Sequence, residues 1–466
     1  MSKPAIFFFI TYRRGREIMR TLFIANRGEI AVRIGKAAHA LGISTVQACS
    51  QADQNAQYVE NADKAICIGA APAALSYLDA DRIVLAALAA NADAIHPGYG
   101  FLSENASFAD KVTQSGMTFV GPSASAIHIM GDKVRARAFM LKTGVPCLPG
   151  SEGALPEDGD ECRKIAAEVG YPVIVKAAGG GGGRGMRVVL REDELLASIE
   201  LTRAEAAKAF ANPSVYIERY LTTPRHIEIQ VVMDNFGNGV WLGERDCSMQ
   251  RRHQKVLEEA PAPDVSRELL ANVADRCLNA CRQMGYSGVG TFEFLYENGE
   301  MFFIEMNTRL QVEHPVTEAI TDVDIVQAQL RIAAGERLWL DQGDIALSGH
   351  SIECRINAED SETALPSPGR ITRFIAPSGQ GIRVDTHITD GYVVPPFYDS
   401  MIAKLIVHAP TRQEAIDRMQ WALDHLVIEG IATNIALHQS LLADPAFHEG
   451  GANIHYLESR KKKRTP

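Results

Sequence analysis

FFIEMNTRLQVEH, residues 302–314, carries a strict alternation. Phe302, Ile304, Met306, Leu310 and Val312 are apolar at even positions, and Glu305, Asn307, Arg309, Gln311 and Glu313 are polar at odd ones. A continuous strand would put all five polar groups on one face. A half-buried sheet with a wet face would alternate in the same way. The order of types, however, is carboxylate, amide, guanidinium, amide, carboxylate, which suits a metal and a small anion, and hard oxygen donors suit Mg²⁺. From Glu305 to Glu313 an extended strand would run about 26 Å, at ~3.3 Å per residue. One site cannot be served by both ends of that line. The chain is therefore expected to bend after about Asn307, with the rest returning over the site as a loop.

Working outward, similar strand pairs fill the middle of the chain. YPVIVKAA/GMRVVL, RHIEIQVVMD/GVWLGERD and GTFEFLYE/EMFFIEMN read as hairpins in antiparallel sheets. The first of these pairs is joined through five glycines, Gly179–Gly183, with Lys176 before them and Arg184 after. Glycine permits positive φ and lets N–H groups approach an anion. Such a loop is either a plain hairpin or a lid over phosphate. QRRHQK (250–255) is either a solvated basic face or a cationic cradle for polyphosphate, and the following VLEEAPAP reads as a helix-hostile loop. Nearer the start, TLFIA, ISTVQAC, AIHPG and TFVGP alternate with helical patterns such as Ile30, Ile34, Ala37 and Leu41, which predicts a parallel α/β domain. Its first turn, NRGEI, lacks a G-x-G-x-x-G, so a dinucleotide site is not supported. Residues 351–458 return to strands (SIECRINA, GRITRFIA, MIAKLIVHA) followed by two helices.

Composition narrows the classes. The 466 residues are 46% hydrophobic and 22% charged, so two or three subdomains with large cores are expected. A net charge of −10 argues against duplex nucleic acid as a partner. Eight cysteines without a disulfide spacing point to a reducing, cytoplasmic setting. No apolar run approaches the ~20 residues of a membrane span. Met19 stands just before TLFIAN, so residues 1–18 are expected to be an extension or a misassigned start. The basic run near the end is expected to be a solvated tail, residues 459–466.

IANRGEIAVRI, AIHPGYGFLSEN, MGDKVRAR, KAAGGGGGRGMRVV, ERDCSMQRRHQKVLEEAPAP, FIEMNTRLQVEHPVTE and ECRINAED, in this order over about residues 20–458, resemble the biotin carboxylases, which are ATP-grasp enzymes. The likeness is greatest to the free-standing subunit of bacterial-type acetyl-CoA carboxylase. It implies a mixed α/β and α+β chain in three parts: an N-terminal domain over 19–132, an ATP-grasp domain over 133–340 with a mobile lid at about 149–221, and a C-terminal antiparallel-sheet domain over 351–458. It implies that Lys133, Lys176 and His226 hold ATP, with Gly181, Gly182 and Gly183 in the lid and Glu218 and Leu221 at the adenine hinge. Gln250 and His253 would also contact the nucleotide. Glu293, Glu305 and Asn307 would hold Mg²⁺ (or Mn²⁺). Lys255, Arg309, Gln311 and Val312 would hold bicarbonate, with Glu313 as general base, and Tyr99 and Arg355 would meet biotin. The chain has no Met-Lys-Met motif, so biotin is expected on a separate carrier protein, with carboxyltransferase subunits as further partners and a homodimer as the assembly.

The shared metal role sets a register. Asn298-Gly299 suggests a two-residue type I′ turn. In a regular ladder that turn would pair Glu293 with Ile304 and send the two carboxylates to opposite faces. A three-residue loop, Glu297-Asn298-Gly299, would pair Glu293 with Phe303 and bring Glu305 to a diagonal position on the same face, so an odd loop is expected. Two rival functions are a carbamoyl-phosphate-type synthetase, which needs a second ATP site, and a non-catalytic nucleotide sensor, which would be expected to lack Glu313 or Arg355. Both residues are present.

Overall fold

The apolar runs near the start form five parallel strands: β1 (Thr21–Ile24), β2 (Ser44–Ser50), β3 (Lys64–Gly69), β4 (Ala94–His96) and β5 (Thr118–Phe119), in spatial order β3-β2-β1-β4-β5. Parallel neighbours need crossovers, and helices supply them. Helix Glu29–Ala40 buries Ile30, Ile34 and Ala37, the stripe expected from their spacing. The strand order reverses between β1 and β4. Loops leaving the carboxyl ends of two such strands diverge and open a crevice. The loops here begin at Ala25 and Pro97. The computed structural model describes residues 19–179 and 185–464.

A three-stranded antiparallel sheet follows, ordered β7-β6-β8, with β6 (Val173–Ala177), β7 (Met186–Val189) and β8 (Val215–Arg219). It has its own core, built on Val173, Val175, Ile199 and Ile217. Gly181, Gly182 and Gly183 lie outside the described residues, as do residues 1–18.

The largest sheet has eight antiparallel strands. These are β9 (Arg225–Met233), β10 (Gly239–Arg251), β11 (Gln254–Ala260), β12 (Gly288–Glu297), β13 (Glu300–Asn307), β14 (His350–Asn357), and strands Met401–Ala409 and Ile382–Thr386. The spatial order is β13-β12-β9-β10-β11-β14, then Met401–Ala409, then Ile382–Thr386. One continuous ladder therefore joins the central region to the C-terminal one. Helix Arg267–Met284, capped by the Ser266 hydroxyl and stopped by left-handed Gly285, covers it with Leu270, Val273, Cys277 and Cys281.

Four expectations need correction. The β12–β13 loop has two residues: Glu297 pairs with Glu300, and Asn298 and Gly299 both have positive φ (54° and 82°), as a type I′ turn requires. The carboxylates still share a face because the ladder shifts register between Glu293 and Phe294. Phe294 pairs with Phe303 and Glu293 with Glu305, so Ile304 is the extra residue of a bulge. The three-residue loop is wrong, and the same-face requirement is met by other means. Second, VLEEA is a buried strand in β11; the turn before it is Arg252-His253, both at positive φ. Third, Met401–Ala409 is followed by four helices rather than two. Fourth, the basic run begins inside helix Tyr456–Arg464, where Arg460 pairs with Asp444 at 3.0 Å and donates to the Ser440 carbonyl oxygen at 2.7 Å.

Candidate active site

A cleft of about 560 Å³ opens where the reversal point of the parallel sheet faces the large antiparallel sheet. Asn26–Glu29 and Tyr99–Phe101 form one wall; the other holds His226, Gln250, His253, Lys255, Glu293, Glu305, Asn307, Arg309, Gln311, Val312 and Arg355. Residues far apart in sequence meet because antiparallel strands place alternate side chains on one face.

The segment 302–314 behaves as its length demands. β13 ends at Asn307, the chain turns, and Glu313 caps helix His314–Thr321. Arg309 is fixed in the turn by three neighbouring side chains: its Nε donates to Glu104 Oε2 (2.8 Å), Nη2 to Asn307 Oδ1 (2.8 Å) and Nη1 to Gln311 Oε1 (3.1 Å).

Lys255 is the hub. Its Nζ donates to Glu228 Oε2 (2.7 Å), Glu293 Oε1 (2.8 Å) and Glu313 Oε1 (2.6 Å), using all three ammonium protons. Burial would lower its pKa, but the three carboxylates outweigh burial and hold it well above the usual lysine range. Glu313 is itself fully buried behind the cleft, and its second oxygen accepts from Arg355 Nη2 at 2.8 Å. Burial would raise the Glu313 carboxyl; Lys255, Arg355 and Arg245 overcome that and hold it well below the usual carboxylate range. Glu293 accepts additionally from Asn307 Nδ2 (2.8 Å), and its Oε2 lies 3.1 Å from His226 Nε2. Glu305 stands opposite Glu293, its carboxylate 37% exposed and 3.0 Å from Lys133 Nζ.

Lys176, Glu218 and Leu221 do not line this cleft. Lys176 Nζ donates to Glu218 Oε2 at 2.6 Å, with Arg137 3.6 Å from the same carboxylate, where the three-stranded sheet meets the chain at Gly150. Leu221 packs with Leu148 and Phe302, directly before β13's polar residues.

Several charged neighbours of the site were missed in the sequence. Arg245, wholly buried, pairs with Glu228 Oε1 and donates to Gln230 Oε1 and Thr317 Oγ1, tying β9 to the helix that Glu313 caps. Glu258 accepts from Arg355 Nε at 2.6 Å. Lys404, also buried, donates to the Val312 carbonyl oxygen (2.9 Å) and lies 3.2 Å from Glu29 Oε1, which Tyr99 also bonds. The one available signal was a charged residue inside an otherwise apolar strand, as in HIEIQVV and MIAKLIV.

Three family models match consecutive stretches: "Biotin carboxylase, N-terminal domain" over 18–127, "Carbamoyl-phosphate synthase L chain, ATP binding domain" over 132–340, and "Biotin carboxylase C-terminal domain" over 353–459. The biotin carboxylase of Haemophilus influenzae is 58% identical over 95% of this chain and 99% of its own. This chain belongs to the biotin carboxylase family. As a biotin carboxylase it is a ligase of the ATP-grasp type, acting in ATP-dependent carboxylation of biotin. The biotin carboxylase of Campylobacter jejuni, solved as a beta-gamma-ATP complex, superimposes with a TM-score of 0.91 at 47% identity, covering 95% of this chain and 99% of that one. The biotin carboxylase domain dimer of Hydrogenobacter thermophilus 2-oxoglutarate carboxylase, solved with MgADP, ADP and bicarbonate, also gives 0.91 at 47% identity, covering 96% and 98%. The three-part ATP-grasp architecture is thus that of the biotin carboxylases. Among the described residues, no helix is long and apolar enough to cross a membrane.

Proposed function

We propose that this enzyme phosphorylates bicarbonate with ATP and carboxylates biotin borne on a separate carrier, as the biotin carboxylase component of an acyl-CoA carboxylase, with acetyl-CoA as the final acceptor. The observation that carries the reading is the position of Glu313: one buried carboxylate gripped on one oxygen by Lys255 and on the other by Arg355. The two cations belong to the two half-reactions, so one base stands between them.

Bicarbonate enters between Lys255, Arg309, Gln311 and the Val312 peptide. The cations offset its repulsion from ATP. Glu313 takes its hydroxyl proton, and the freed oxygen attacks the γ-phosphorus as ADP departs. A carboxylate held far below its usual range is a weak base. Bicarbonate oxygens draw the Lys255 hydrogen bond away from Glu313, and its basicity rises when the substrate arrives. Carboxyphosphate then breaks into CO₂ and phosphate. The phosphate removes the ureido N–H proton, Arg355 pairs with the resulting enolate oxygen, and the nitrogen attacks CO₂. Tyr99 forms the wall on the biotin side.

Lys133, Lys176, His226, Gln250 and His253 contact ATP in this reading, with Glu218 and Leu221 at the adenine and Gly181–Gly183 in a lid over about 149–221 that excludes water. Mg²⁺ (or Mn²⁺) suits the oxygen donors of Glu293 and Glu305, which stand opposite each other across the ladder. Asn307 Oδ1 could join them on releasing Arg309. When bound, the metal supplies charge neutralisation at the phosphates. The domain limits 19–132, 133–340 and 351–458, the homodimer and the cytoplasmic setting belong to the same reading. Co-purification with a biotinylated carrier and an acyl-CoA carboxyltransferase tests the acceptor; recovery with a keto-acid carboxyltransferase instead would reassign it.

A further inference from the structure

Behind Arg355 lies a pair of carboxyls that this chemistry leaves unused. Glu258 on β11 and Glu353 on β14 are directly opposed in the ladder, so both side chains leave the sheet on one face. Both are 0% exposed. Helix His314–Thr321 covers that face, with Val316 and Ile320 packed on Ala260 and Ile406. Glu258 Oε1 accepts from Arg355 Nε at 2.6 Å, but Glu258 Oε2 and both oxygens of Glu353 have no partner. Two opposed carboxylates out of water repel, and an ionised carboxylate without a donor does not persist there. A proton held between Glu258 Oε2 and one Glu353 oxygen satisfies two of the three orphaned oxygens and removes one of the two charges.

The groups facing the pair fit this. Arg355 is on β14 and Lys255 on β11; Lys404 comes from strand Met401–Ala409, Glu313 from the covering helix, and Tyr99 from the loop after β4. The Cys247 and Cys354 thiols also lie close. Lys404 is committed to Val312 and Glu29 and makes no bond to Glu353. Burial, with Glu313 adding to it against Arg355 and Lys255, pushes Glu258 up to about 7. Burial and Glu258 push Glu353 well above the usual range despite Lys404.

We propose that Glu258 and Glu353 share one proton and act together as a positioning pair for Arg355, gripping the guanidinium from behind with a single negative charge. The inference rests on the reading of Arg355 as the biotin group. Loss of the shared proton doubles the charge behind the guanidinium, draws it back from Glu313 and from the biotin oxygen, and sets extra negative charge near the forming enolate. The biotin step then falls as pH rises, and phosphoryl transfer does not follow it.

The test uses free biotin as substrate and bicarbonate-dependent ATP cleavage without biotin as the parallel readout. For the wild type, kcat/KM for biotin should fall about tenfold per pH unit beyond the pair's titration point. Glu353→Gln keeps the shape, has no proton to lose, and should abolish that alkaline fall. Infrared spectra at pH 7 should show a protonated carboxylic acid in the wild type that Glu353→Gln removes. Should that variant not fold, the wild-type acid band must disappear over the pH range in which the biotin step fails. An alkaline limb identical in both proteins, or no acid band, overturns the shared proton. Equal loss of both activities in Arg355→Ala overturns the reading of Arg355, while the infrared result still judges the pair.

Discussion

Replacing Lys255 by methionine keeps most of the side-chain volume and removes the charge on which three carboxylates converge at 2.6–2.8 Å. Each carboxylate retains at least one other partner: Arg245 for Glu228, His226 and Asn307 for Glu293, and Arg355 for Glu313. Removing one member of a buried ion pair costs about 3–5 kcal/mol. The cluster has a cheaper exit, which is to protonate one carboxyl. At pH 7, protonating a group whose unfolded value is 4.5 costs about 3.4 kcal/mol, from 2.5 pH units at ~1.36 kcal/mol each. That figure caps the loss, equivalent to a midpoint shift of roughly 7–14 °C for a unit of about 150–250 residues and less for a larger one.

The pH dependence carries the signature. In the wild type, Glu313 and Glu293 are held below their unfolded values, so their contribution is present above pH ~4.5 and is lost as pH falls through the lower folded values. In the variant one carboxyl is raised instead. Its penalty is absent below ~4.5 and grows as pH rises towards the raised value. The gap between the two proteins should therefore be small near pH 5 and widest near pH 8. Thermal unfolding of both proteins across that range is the assay. A gap that is constant with pH, or a variant as stable as the wild type at pH 8, would refute the idea that Lys255 neutralises this cluster.

Glu313→Gln should retain ATP binding, measured by nucleotide titration, and lose about 10²–10⁴-fold in carboxylation; near-normal turnover would remove Glu313 from the mechanism. Arg355→Ala should lower biotin carboxylation more than bicarbonate-dependent ATP cleavage, compared in one preparation. Glu305→Gln should raise the Mg²⁺ concentration needed for half-maximal ATP cleavage, and an unchanged requirement would detach Glu305 from the metal.

The course of the 302–314 segment could be read from the chain because its signals were local. Alternation over 302–314 and the reach of an extended strand placed the bend at Asn307, where β13 ends. The demand that Glu293 and Glu305 share a face was sound, and the route to it was not. Asn298-Gly299 did form the two-residue turn its local chemistry favours, and the correction came from a bulge at Ile304 that no short-range pattern encodes. The buried ionic layer was harder to see. Arg245, Glu258, Glu353 and Lys404 sit in strands rich in apolar residues, and their partners are up to about 375 residues away, as for Lys404 and Glu29. Such pairing depends on strand order, and the eight-stranded order joins β11 to β14 across 89 residues of intervening chain.

The central claim is that carboxylate moves from bicarbonate to biotin on another protein through the Lys255–Glu313–Arg355 cluster. Isotope-labelled bicarbonate, Mg-ATP and a separately purified biotinylated carrier should give one label per biotin on the carrier, with one ADP released for each. Label that stays on this chain, or ADP release without a labelled carrier, would contradict it.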